Sequence, residues 1–181
     1  MVVEDVFRRP GERTVRATGR VERGRVRAGD EVQIVGAGGG GIVRVTRIEA
    51  GKRRVGEATA GMNVELLLPE EASSAVERGQ TLATPRSISA HRSFVADLAV
   101  MSAAEGGAEL LTGGCLHFYF RAGPLRGSVT LPQGMEALHP LHTATVTVAL
   151  EQPVALESGQ RFVFRRRGRA AGSGVVTGLP R

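Results

Sequence analysis

Apolar residues recur at every second position in several stretches of this chain, and glycine-centred turns separate those stretches. Val43-Arg44-Val45-Thr46-Arg47-Ile48 reads as one such run, Thr143-Ala144-Thr145-Val146-Thr147-Val148 as another, and residues 15–21 as a third in part. A period of two puts one face of a strand in a core and the other in water. Arg23-Gly24, Ala28-Gly29-Asp30, Gly106-Gly107, Gln133-Gly134 and Ser158-Gly159 supply the turns between such runs. Many short strands with frequent glycine turns, and no sustained helical period, predict a sandwich or barrel. The one helical candidate is residues 70–78, about two turns.

With 181 residues there is room for one medium domain or two small ones of roughly 90 residues each. The 41% apolar content supports a packed core and argues against disorder. No apolar run approaches the ~18 residues of a membrane-spanning helix. Met1-Val2-Val3-Glu4-Asp5 lacks the basic and apolar regions of a signal peptide. A single cysteine, Cys115, allows no internal disulfide and fits a reducing, cytoplasmic setting. A polar segment with one proline, residues 83–91, lies near the midpoint and reads as a linker between two β domains, 1–88 and 89–181.

The net charge of +6 rests on 24 basic residues, of which only Lys52 is a lysine. That skew is as compatible with a GC-rich coding bias as with a nucleic-acid partner. Two basic clusters stand out, Lys52-Arg53-Arg54 and Arg165-Arg166-Arg167-Gly168-Arg169. Guanidinium groups this crowded repel one another unless they are solvated or face an anion, so each is a solvated turn or a phosphate contact. Aromatic residues total seven, with Phe118-Tyr119-Phe120 the only cluster, which is poor material for a base-stacking platform.

Other motifs fail on context. Residues 36–41, Gly-Ala-Gly-Gly-Gly-Gly, fit the dinucleotide pattern, but a strand follows where a helix N-terminus must receive the pyrophosphate. Gly51-Lys52-Arg53 lacks the Ser or Thr and the upstream glycine of a phosphate loop. His139 and His142, with Glu136, have a metal-like spacing, yet Pro140 between them denies the helix that would align them. Cys115 and His117 share a strand face without a third group to orient them. The residues thus predict no catalytic group, no metal and no cofactor.

In its specific words the chain resembles the elongation factor Tu family, in that family's second and third domains. Glu4-Asp5-Val6-Phe7, Thr18-Gly19-Arg20-Val21-Glu22-Arg23-Gly24, Ala60-Gly61-Met62-Asn63-Val64 and Glu77-Arg78-Gly79-Gln80 carry the likeness to domain 2. Glu105-Gly106-Gly107, Phe118-Tyr119-Phe120-Arg121, Leu131-Pro132-Gln133-Gly134, Pro153-Val154-Ala155-Leu156, Arg161-Phe162 and the close from Gly168 to Val176 carry it to domain 3. The resemblance implies an all-β chain of two closed β-barrels in tandem. It implies a module of translation elongation that carries aminoacyl-tRNA, without the family's GTPase domain and so without enzymatic activity of its own.

By the same resemblance Glu49 meets the terminal adenosine and Asn63 the amino group of the attached amino acid. Asp5, Phe7 and Thr18 line its side-chain pocket, and Glu4, Gly11 and Val15 also fit. Lys52, Arg126, Arg165, Arg166 and Arg169 are the expected phosphate contacts. Some positions depart from the family pattern. Arg9 replaces an apolar pocket residue and Gly51 a frequent histidine. One extra residue between Val15 and Thr18 should bulge the strand or shift its register. On the T-stem surface Leu116-His117 stands for Pro-Gln, Arg126 for threonine, Gln152 for lysine and Arg166-Arg167 for Glu-Gly. The expected partners are aminoacyl-tRNA and a ribosome or GTPase domain in trans, with no membrane. The alternatives are a diverged scaffold that binds a protein partner, or a fragment of a full translational GTPase.

Overall fold

A computed structural model describes residues 1–180, the side chain of Ser73 excepted. The chain divides into two compact units, Met1–Ser89 and a second that begins at Ala90. Both are built of strands, so the all-β class holds; among the described residues the helical content is limited to the 3-10 turns Glu70–Ser74 and Ala103–Glu105.

The first unit contains β1 (Asp5–Arg8), β2 (Thr14–Arg20), β3 (Arg25–Arg27), β4 (Glu31–Val35), β5 (Ile42–Arg44), β6 (Arg47–Ala50), β7 (Arg53–Val55), β8 (Glu57–Thr59), β9 (Asn63–Pro69) and β10 (Thr81–Ala83). They form three open sheets, β1-β2-β9-β6-β7, β10-β4-β5 and β3-β8. The expectation of a closed barrel is therefore corrected here. The sheets surround one apolar core that includes Val15, Ala17, Ile34, Val45, Ile48, Leu66 and Leu68. Two backbone seams hold them together. Residues 1–3 reach across to residues 79–82, with Val3 N–H bonded to the Gln80 carbonyl at 2.9 Å and Leu82 N–H to that of Met1 at 2.8 Å.

The second seam is where residues 43–48, expected as one strand, change sheets. Val45 N–H bonds to Asp30 O at 2.8 Å, while the next amide, Thr46, bonds to Leu67 O at 2.8 Å. Consecutive amides thus serve different neighbours, and the chain turns a corner from β5 into β6. The expected helix at residues 70–78 shrinks to the five residues Glu70–Ser74, because so short a run cannot offset the cost of helix nucleation.

The second unit contains β11 (Ser89–Val100), β12 (Leu110–Leu111), β13 (Cys115–Phe120), β14 (Gly123–Thr130), β15 (Ala137–Leu138), β16 (Thr143–Leu156), β17 (Arg161–Arg166) and β18 (Arg169–Gly178). Six of these close into a barrel in the order β11-β16-β14-β13-β17-β18, and β12 pairs with β15 apart from it. Its core takes five of the six phenylalanines of the chain, Phe94, Phe118, Phe120, Phe162 and Phe164. Phe162 stands edge-on to Phe94 and Phe118, with centroids 5.7 and 5.8 Å away, a favoured aromatic geometry. Gly172 and Gly174 on β18 make room for these rings. A Cβ on Gly174 would lie 2.5 Å from Phe162 Cζ and 2.6 Å from Leu98 Cδ2.

Candidate functional site

In the first unit, register decides which side chains share a surface. The inward residues Val15, Ala17, Val64, Leu66 and Ile48 leave their neighbours on the outward face of the five-stranded sheet. One row crosses all five strands as Asp5, Thr18, Glu65, Glu49 and Arg54, each directly opposite the next. The adjoining row is Phe7, Arg16, Leu67 and Arg47, and Arg20 faces Asn63 beside the first. Five positions assigned from sequence to the aminoacyl end, Asp5, Phe7, Thr18, Glu49 and Asn63, thus stand on one face. Glu4 does not join the rows: it precedes β1, exposed, with its N–H bonded to the Thr18 carbonyl at 2.8 Å.

β2 pairs without a shift with β9 from Thr14 to Arg20 and with β1 from Val15 to Thr18. The bulge expected from the extra residue between Val15 and Thr18 is absent. Val15, Ala17, Gly19 and Val21 keep strict inward alternation, so Arg16 faces outward.

Sequence reading missed the centre of this face. Arg16, with a side chain only 11% exposed, reaches three carboxylates. Its Nη1 lies 3.1 Å from Glu49 Oε2 and 3.2 Å from Glu65 Oε2, and its Nε lies 3.5 Å from Glu12 Oε2. Burial pulls the Arg16 pKa down, but the hydrogen bond it donates to Glu65 and the charges of Glu12 and Glu49 outweigh it, and the pKa is raised above that of an ordinary arginine. Arg47 Nη2 takes the other Glu49 oxygen, Oε1, at 2.8 Å, and Arg9 pairs with Glu12 at 3.5 Å. Three arginines and two glutamates therefore alternate from Arg9 to Arg47, with Glu65 as a third carboxylate on Arg16. The Nε of Arg47 is shielded from solvent without a hydrogen-bond partner among the described residues. The signal for this cluster was in the sequence: Arg16 and Glu65 alternate with core residues on neighbouring strands.

Lys52 sits in the β6–β7 turn. Gly51 and Lys52 both have positive φ, 56° and 66°, as the two central residues of a type I′ hairpin turn require. Lys52 is exposed, with no ion pair among the described residues. The cluster at residues 165–169 is built alike: Arg166 pairs with Arg169 around Arg167 and Gly168, at φ 49° and 80°.

On the second unit the expected phosphate contacts separate by side. Arg126, His117 and Arg165 form one outward row across β14, β13 and β17. The Arg165 guanidinium carbon lies 4.8 Å over the Tyr119 ring, and Arg126 lies 3.6 Å from Glu151, a solvent-exposed pair. Arg166 has the inward parity of Phe162 and Phe164, is half-buried, and donates from Nη1 to the Glu109 carbonyl at 2.6 Å. Between Phe164 and Arg165 the pairing with β18 slips by one, leaving Ala171 out of the ladder. Arg169 is exposed at the end of the hairpin. His139 and His142, expected in a solvated loop, are both exposed, with ring centroids 6.2 Å apart; His139 lies 3.6 Å from Glu109.

The chain is thus an all-β protein of two units, one offering a sheet face of paired charges and the other a basic row beside a tyrosine. Residues 15–83 match the family model of elongation factor Tu domain 2, and residues 87–179 match that of the elongation factor Tu C-terminal domain. The chain belongs to the elongation factor Tu family, through these two domains; neither match is to a GTPase domain. No helix among the described residues is long and apolar enough to cross a membrane.

Proposed function

We propose that this chain is a tRNA-binding module of the elongation type. The outward face of β1-β2-β9-β6-β7 receives the aminoacyl end, and the row Arg126, His117 and Arg165 meets the phosphate backbone. The observation that carries this reading is the gathering of Asp5, Phe7, Thr18, Glu49 and Asn63 into adjoining rows of one sheet face. Asn63 is exposed at the start of β9, so its amide oxygen is open to an ammonium donor. Lys52 and Arg169 add exposed charge at two hairpin turns. Any GTP chemistry in this reading belongs to a GTPase domain other than these two, and the setting is the cytoplasm.

Titration of aminoacylated and deacylated tRNA at several salt concentrations tests it. Binding should weaken steeply with salt, as phosphate contacts demand. Asn63→Ala should lower the preference for the aminoacylated form by roughly two- to tenfold, the range of one net hydrogen bond, without changing the salt slope. Failure of the wild-type chain to bind either RNA at low salt would refute the reading.

A second reading has an observation of its own. Glu49 is held by two arginines and Arg166 by a backbone carbonyl, which suits a scaffold whose surface serves a protein partner. Wild-type protein that binds no tRNA but retains a GTPase domain in trans would favour it.

A further inference from the structure

The resemblance to the family assigns Glu49 to the terminal adenosine, and both of its carboxylate oxygens are engaged inside the protein. Oε2 receives Arg16 and Oε1 receives Arg47, at 3.1 and 2.8 Å, and the side chain is 19% exposed. Arg16 is the deeper of the two arginines, 11% exposed against 39%, and Glu12, Glu49 and Glu65 anchor it together. A guanidinium that bridges carboxylates stands where a ribose hydroxyl would otherwise donate to one of them.

We infer that Arg16 is a specificity-determining residue that acts through Glu49: it fills the place of the ribose hydroxyls of a terminal adenosine and withholds Glu49 from them. The inference rests on the aminoacyl-end reading of this face and adds to it. The native chain then distinguishes aminoacylated from deacylated RNA weakly, through Asn63, while the terminal ribose adds little. The register of β2 supports this, because its unshifted pairing with β9 sets Arg16 on the same outward face as Glu49 and Glu65. Glu65 is the matching element, one strand over in the Glu49 row, and it completes the seat of the guanidinium.

Removal of Arg16 alone would leave three carboxylates facing one another, so the test pairs Arg16→Val with Glu65→Thr. The double variant removes one charge of each sign and places good strand formers at both positions. Wild type and double variant are titrated with aminoacylated tRNA, deacylated tRNA and adenosine 5′-monophosphate, with thermal melting of both as the control for folding. The expected result is binding of both tRNAs about tenfold tighter in the double variant, the worth of one or two net hydrogen bonds, and a gain in nucleotide binding, because a terminal ribose keeps at least one free hydroxyl to donate to Glu49 in each. A folded double variant with unchanged affinity for both tRNAs and no gain for the nucleotide overturns the inference and leaves the tRNA reading standing. If neither protein binds tRNA, the tRNA reading falls. The nucleotide titration then decides alone: a gain supports the role of Arg16, and no gain overturns it.

Discussion

Arg165 and Arg166 are neighbours in sequence and were both expected at phosphates, yet their geometry predicts different outcomes for the same substitution. Arg165 points outward over Tyr119 at 4.8 Å and has no ion pair among the described residues. An exposed contact of this kind contributes about 0.5–1 kcal/mol, so Arg165→Ala should leave the fold nearly intact. If the side chain neutralises one phosphate, its loss should flatten the slope of log K against log salt by about 0.7–0.9. Between 50 and 200 mM salt, roughly a fourfold change, that makes binding about threefold less salt-sensitive. Arg166 instead donates to the Glu109 carbonyl at 2.6 Å from the inward side of β17. Arg166→Ala should cost about 1 kcal/mol, lowering the melting temperature of a unit this size by about 4–8 °C, with little change in salt slope. Thermal melting and tRNA titration of the two variants read both quantities. Equal slope changes for the two, or none for Arg165→Ala, would refute the assignment.

Two further outcomes test the framework that holds these surfaces. Gly172→Ala should destabilise the barrel by about 1–3 kcal/mol or more in thermal melting, since the new Cβ would lie 2.5 Å from Phe164 Cζ and also collide with the Ala99 carbonyl. Leu141 has φ 66° and is 76% exposed, so Leu141→Gly should stabilise. Relief of about 1–2 kcal/mol of left-handed strain exceeds the roughly 0.5–1 kcal/mol entropic cost of glycine, and denaturant titration should show the net gain.

The strand content was legible because alternation and turn glycines report burial directly, and Thr143-Ala144-Thr145-Val146-Thr147-Val148 lies in β16 as expected. The corner at Val45 and Thr46 was legible too, but only to a stricter count. Val43 and Val45 hold odd positions and Ile48 an even one, so the apolar phase slips between them. A slip of one residue within a run marks either a bulge or a change of partner strand, and here it marks the change. Closure was harder to read. Whether sheets join into a barrel depends on which amides meet over long sequence separations, as between residues 1–3 and 79–82, and no local pattern encodes such a meeting.

The same count explains why the sheet face was read only in part. An extra residue was expected to disturb β2, but Val15, Ala17, Gly19 and Val21 already keep one phase across the insertion. With that phase intact, Arg16 falls between inward residues and faces outward. Once Arg16 faces outward, its neighbours follow from pairing: Glu49 and Glu65 lie in the adjoining row, and a guanidinium only 11% exposed requires carboxylates within reach. Motif resemblance locates positions one at a time and so finds Glu49 without its occupant. Pairing register, by contrast, converts separate positions into a surface with a charge balance. On this face Glu49 is already held by Arg16 and Arg47, so any ligand that takes its carboxylate has to displace an internal cation first.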